Sequence, residues 1–160
     1  MFQSLLISFF LLIFLLTPFN PSFALRTQDY SKQSLIEADF SNEDLHGVTF
    51  NLANLMNANF SDSNLEGASL FRVKLQEANL TNSNLRGATL DSAILEGTNL
   101  KNANLEDSFA FDTKFQDVKI KGADFTNVIL ANDQLKVLCP IADGINTVTG
   151  RYTKETLGCS

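Results

Sequence analysis

The chain has 160 residues, a net charge of −6, two cysteines, one histidine and no tryptophan. Its length fits one domain beside any targeting segment, and an acidic surface without tryptophan argues against nucleic acid or anionic lipid as a partner. With one histidine and two cysteines, it is also short of the usual donors for a metal centre.

Residues 1–24 carry no charged side chain, and Phe2 to Leu16 is an almost unbroken apolar run. Thr17-Pro18-Phe19-Asn20-Pro21 then breaks any helix, and Ser22-Phe23-Ala24 supplies the small residues of a cleavage site. This predicts a secretory signal peptide removed after Ala24. An uncleaved membrane tether is the alternative reading, favoured by the missing Lys or Arg near Met1 but opposed by a run shorter than the roughly 20 residues a bilayer requires. With the segment removed, no membrane association is expected. Residues 25–34 are expected to act as an N-terminal cap, with Tyr30 five residues before Leu35 and so already in register with the period that starts there.

From Leu35 to Leu135 every fifth residue is large and apolar, except Ala110. A small residue commonly stands two positions earlier, as at Ala58, Ala78 and Ala103, followed by Asn59, Asn79 and Asn104. A period of five matches neither the 3.6 of a helix nor the 2 of a strand, so the chain must turn at a fixed interval. Asn42, Gly47, Asn57, Asp62, Gly67, Asn82, Gly87 and Gly97 sit where those turns fall and tolerate positive φ.

The triplets Ala58-Asn59-Phe60, Ala78-Asn79-Leu80 and Ala103-Asn104-Leu105 resemble the pentapeptide-repeat family, whose pattern is A(D/N)LXX. That resemblance implies an all-β solenoid, a right-handed quadrilateral β-helix with four repeats per coil. About five coils are expected over residues 35–135, with a short helical C-terminal cap over 136–160. Stacking at twenty residues aligns Gly47, Gly67 and Gly87 in a turn column, places Asn59, Asn79 and Asn99 below Asp39, and alternates the charges of Glu66, Arg86 and Glu106. The fourth core layer, holding Ala110, lacks most of a leucine. Either one ring of Phe109 or Phe111 turns inward there, or the large phenylalanines of the fifth layer fill the space.

Beyond Leu135 a short helix is expected from Asp133 to Cys139, capped by Asn132 or Asp133 and stopped by Pro140, and a second turn from Thr153 to Leu157 ending at Gly158. Val137, Leu138, Ile141 and Leu157 would form a lid over the last coil. Cys139 and Cys159, the only cysteines, read first as a disulfide in an exported chain. A thiol-based redox role or metal binding stands as the rival, without CxxC spacing to support it. The segment from Leu138 to Cys159 is similar to the tails of exported pentapeptide-repeat proteins of the cyanobacterial and chloroplast thylakoid lumen. This implies export to a thylakoid lumen or periplasm, of cyanobacterial type because a longer basic transit sequence is missing.

Outward carboxylates on a regular rod read as a solvated face, so no catalytic residue, cofactor site or metal site is assigned. The two sequons at Asn59 and Asn79 are by-products of the repeat. One surface departs from the polar pattern: Phe71, Phe109, Phe111 and Ile129 point outward on one face, near Leu52 and Ile94, and form the candidate interaction patch. Burial under the chain's own flanks is the competing account of it. The expected function is a non-enzymatic structural or protein-interaction module with an unidentified protein partner and an open oligomeric state. The alternative, by resemblance, is a DNA mimic of the kind that binds gyrase, which an exported chain would not meet.

Overall fold

The computed structural model describes residues 28–159; the expected signal peptide lies outside them. From residue 32 to residue 127, every fifth residue has positive φ, between 53° and 73°, which makes twenty consecutive turns. Nearly all close with a backbone hydrogen bond across four residues, such as Ala58 N–H to the Leu55 carbonyl at 3.1 Å, and positive φ at the third position is the mark of a type II turn. Gly47, Gly67 and Gly87 take this conformation without strain, whereas Leu52 (φ 62°) and Arg72 (φ 54°) carry a side chain into it.

Between turns the chain runs extended for so few residues that each side pairs with the next coil mainly through single bridges. Every parallel bridge joins residues twenty apart, from Asp29↔Thr49 to Asn104↔Asp124. Among the described residues, only β1 (Phe109–Ala110) and β2 (Ile129–Leu130) lengthen into a two-residue parallel pair. Twenty residues per coil and a turn every five make a four-sided β-helix, rising about 4.8 Å per coil. The ladder begins at Asp29, so the described part of the segment expected to cap the rod, residues 28–34, already belongs to its first coil.

The inward positions form a dry core. Leu55, Phe60, Leu65 and Leu70 fill one layer, and Leu75, Leu80, Leu85 and Leu90 the next, all essentially inaccessible. The aromatic rings of Tyr30, Phe40, Phe50 and Phe60 interlock near the first coils, with Phe40 stacked on Phe60 at 5.0 Å between centroids. At Ala110 neither candidate ring turns inward, since Phe109 and Phe111 are 44% and 54% exposed. Phe115 and Phe125 instead lie buried in the following layer, 6.4 Å apart edge to face.

Polar side chains add ladders outside the core. Asn79 Nδ2 donates to Asn59 Oδ1 at 3.1 Å, and Asn59 Nδ2 to Asp39 Oδ1 at 3.1 Å. A parallel series runs from Asn84 through Asn64 to Asp44. The charge column behaves differently from expectation: Arg86 pairs with Asp107 at 3.7 Å rather than with Glu66 or Glu106. Glu66 accepts from Asn84, and Glu106 is taken by Arg151, so neighbouring side chains compete successfully for both carboxylates.

The C-terminal segment closes the last coil. Helix α1 (Asn132–Leu138) is followed by a 3₁₀ turn, Cys139–Ile141, and later by α2 (Thr153–Thr156). Ala131 occupies the N-cap of α1 without a side-chain hydrogen bond, contrary to the expected Asn132 or Asp133 cap. The α-helix ends ahead of Pro140 as expected, with Cys139 as its C-cap, and Pro140 sits in the first turn of the 3₁₀ segment that follows, where its missing N–H costs nothing. Of the four expected lid residues, Leu138 and Leu157 are buried, while Val137 and Ile141 remain 42% and 43% exposed. Leu135, Ala142 and Cys159 pack against the core in their place.

Candidate interaction surface

Period-five geometry decides which side chains share a face. Phe109 and Ile129 are register partners on β1 and β2, and Phe111 follows Ala110 around the same side. Ile129 is 52% exposed, and with Phe109 and Phe111 it makes a compact apolar cluster near the C-terminal end. Phe71 stands in the column of Phe111 but two coils away, roughly 10 Å along the rod, with Asp91 between them. Asn51 and Asp91 accept the Phe71 and Phe111 backbone N–H groups at 3.0 and 2.8 Å, so those polar side chains fold down onto the ladder. The four candidate residues therefore form one cluster of three and an outlier at 41% exposure, which Leu52, 44% exposed, extends toward the first coils.

The segment after α1 folds back along the rod and is anchored at two points. Asn146, 1% exposed, donates to the carbonyls of Asn102, Ala103 and Gly122 at 3.1, 3.3 and 2.9 Å. Arg151 reaches Asp124 and Glu106, each at 3.1 Å. Burial pushes the Asp124 carboxyl up, but hydrogen bonds from Thr126 and Thr149 and the Arg151 charge outweigh it and hold it below the usual carboxylate value. Gly144 lies so close to Gly122 that a Cβ on it would stand 2.9 Å from the Gly122 nitrogen. Gly122 in turn donates its N–H to the Asp143 carbonyl at 2.7 Å. Cys139 and Cys159 are joined as a disulfide with Cα atoms 5.6 Å apart, tying the end of the chain to α1.

Neither anchor was visible in the repeat pattern. Asn146 occurs once, outside the period, and Asp124 occupies a ladder position where Asp and Asn are interchangeable by pattern. Between the folded-back loop and the coils lies an open groove of about 360 Å³, lined by Asn84, Asn104, Glu66, Arg86, Glu106 and Val148. Its walls are the rungs of the ladders, without an enclosed floor. His46 stands exposed on the first turn column, far from the disulfide. Among the described residues, no three His, Cys, Asp or Glu side chains are placed to share a metal ion. No described helix is long and apolar enough to cross a membrane.

A solenoid that turns every five residues, with Asn ladders and an inward apolar side chain at each repeat, most often Leu or Phe, defines a class. The chain belongs to the pentapeptide-repeat family: the model for pentapeptide repeats matches eight copies over residues 34–70 and 68–107. The crystal structure of a pentapeptide repeat protein from the Arabidopsis thaliana thylakoid lumen is 41% identical. It aligns with a TM-score of 0.75 over 86% of this chain and 92% of that one. A pentapeptide repeat protein from Nostoc PCC 7120 is 29% identical, with a TM-score of 0.57 over 68% of this chain and 89% of that one. The thylakoid lumenal 15 kDa protein 1, chloroplastic, of Arabidopsis thaliana is 49% identical over 49 residues. That stretch is 31% of this chain and spans only 22% of the curated relative's length.

Proposed function

We propose that this protein is a non-enzymatic recognition module, exported to a thylakoid lumen or periplasm, that presents the faces of a rigid β-helix to a protein partner. The handedness implied by the family resemblance, right-handed, belongs to this reading. The single observation that carries it is the cluster of Phe109, Phe111 and Ile129, three large apolar side chains each 44% exposed or more that stand together on one side of the rod. Rigid backbone beneath the cluster favours binding, because little conformational entropy is lost when a partner covers it.

Lumenal relatives support the compartment: the 41% identical structure is described as coming from a thylakoid lumen, and the curated relative is named for one. An exported location also agrees with the paired cysteines, since disulfides persist in oxidising compartments.

The test is capture from the extracytoplasmic fraction with the native protein and with a Phe109→Ser, Phe111→Ser variant. Loss of one defined partner at an unchanged melting temperature supports the reading. A fall in melting temperature with capture unchanged would assign the rings to internal packing and refute it.

A further inference from the structure

The two ends of the rod are not alike. Helix α1 and the disulfide-tied tail close the C-terminal end, burying Leu138 and Leu157. At the other end, among the described residues, Tyr30, Leu35 and Phe40 pack against the core from one side only, and Ile36 beside them is 48% exposed.

Among the described residues, the first coil also shows unpaired backbone with a definite polarity. Within the rod, each side of a coil donates two N–H groups to the coil below and one to the coil above, as Leu35 and Glu37 do to Asn54 and Met56, and as Asn54 does back to Gln33. The first coil therefore presents two carbonyls for each N–H on a side: those of Ser34 and Ile36 beside the Ser34 N–H, and those of Asp39 and Ser41 beside the Asp39 N–H. Among the described residues none of these has a partner. The side-chain ladders end the same way. Asp39 and Asp44 accept from Asn59 and Asn64 but hold no amide to donate onward.

Charge agrees with this excess of acceptors. Asp29, Glu37, Asp39, Glu43 and Asp44 ring the first coil, all exposed, against Lys32 as the one lysine or arginine there among the described residues. The Asp29 and Asp39 carboxyls are held below their usual values by hydrogen bonds from Ser31 and Ser41, so both stay charged.

A second copy suits this end in neither orientation. Head to head, surplus carbonyls would face surplus carbonyls and one acidic ring would meet another. Head to tail, the capped C-terminal end offers no free coil. A straight strand also fits poorly, because each side turns away after five residues. A helix about 10 to 12 Å across spans the open end much as α1 lies at the opposite one.

We propose that the first coil is the docking surface for a basic amphipathic helix of another polypeptide, its apolar face on Tyr30, Leu35 and Phe40 and its Lys or Arg side chains on the acidic ring and free carbonyls. This inference rests on the reading of the protein as a recognition module, and it places a second surface away from the Phe109 cluster.

The test uses the protein in its native processed form and a roughly fourteen-residue peptide of leucine and lysine at helical spacing, with a glutamate-for-lysine peptide as control. Binding is followed by NMR. The expected result is saturable shifts at Leu35 and Phe40 with the lysine peptide only, weakened about tenfold by Asp39→Asn with Asp44→Asn. Asparagine keeps the oxygen that Asn59 and Asn64 require, so the variant retains its ladders. Shifts confined to the Phe109 face, equal binding of the glutamate peptide, or a dimer whose interface includes Leu35 would each overturn the proposal. Any of these leaves the Phe109 and Phe111 capture experiment standing, so the two readings fail separately.

Discussion

Arg151 Nη1 lies 3.1 Å from Asp124 Oδ2, joining a partly exposed side chain of the tail to a carboxylate whose side chain is completely buried. Asp124 also accepts from the Thr126 N–H at 2.9 Å and the Thr126 hydroxyl at 2.6 Å, so the ion pair closes a fully hydrogen-bonded site. Asp124→Asn is expected to destabilise the fold by about 2 kcal/mol, since a charge-assisted acceptor is lost where solvent cannot replace it. Chemical denaturation measures this, and an unchanged midpoint would show that the tail is held without Asp124.

The same carboxylate sets a pH limit. Its folded pKa lies below the unfolded value of 3.8, so its contribution is fully present above that value and is lost as pH falls through the lowered folded one. The melting temperature of the native protein is therefore expected to show no Asp124-dependent change between pH 5 and pH 8, and to fall below about pH 4. In Asp124→Asn the acid fall should be shallower. Equal falls in both proteins would assign it to other carboxylates.

The core layer around Leu85 sits at the middle of the rod, with Leu75, Leu80 and Leu90 all inaccessible beside it. Leu85→Ala is expected to cost about 2 to 5 kcal/mol, because four fixed sides cannot collapse into the cavity. Urea titration reads the loss directly, and a cost under about 1 kcal/mol would mean that the coils relax more than this packing allows.

Much of this architecture was legible in the sequence because each structural requirement recurs every five or twenty residues. Gly47, Gly67 and Gly87 announced a turn column, and all three have positive φ near 65°. Asn59 and Asn79 announced a ladder, and they hydrogen-bond. Side-chain choices among equivalents were not legible. Arg86 had three carboxylates within reach of its column and selected Asp107, a matter of rotamer and competing donors. The tail was opaque for a different reason: Asn146 reaches three carbonyls on two coils through a contact that occurs once, leaving no repeat to reveal it. Of the candidate patch, the adjacency of Phe109 and Ile129 and the two-coil separation of Phe71 from Phe111 both follow from the period, whereas the folding of Asp91 onto the Phe111 N–H between them is a rotamer choice the pattern does not show.

Leu52 pays twice, with a left-handed backbone at φ 62° and an apolar side chain 44% exposed. Replacement by asparagine, which tolerates that conformation, is expected to stabilise the protein by about 1 kcal/mol. Thermal denaturation decides: a destabilised variant would show that the leucine side chain packs usefully against its neighbours.

Cutting the Cys139–Cys159 bond opens a loop of twenty residues that also contains both tail anchors. A Cys139→Ser, Cys159→Ser variant is expected to lose about 3 kcal/mol, with faster amide exchange at Asn146 before the central coils are affected. Uniform exchange across the rod would instead show cap and coils unfolding as one unit.

The twenty-residue coil is the claim on which every face, ladder and end of the rod depends. Disulfide trapping tests it most directly, because the only native cysteines are already paired. Asn64→Cys combined with Asn84→Cys places two thiols on adjacent rungs of one ladder, within the 4.4 to 6.8 Å that a disulfide spans, roughly. Asn64→Cys combined with Asn79→Cys places them on neighbouring sides. Rapid oxidation of the first pair and none of the second is the expected result; rapid oxidation of the second pair alone would contradict the coil length.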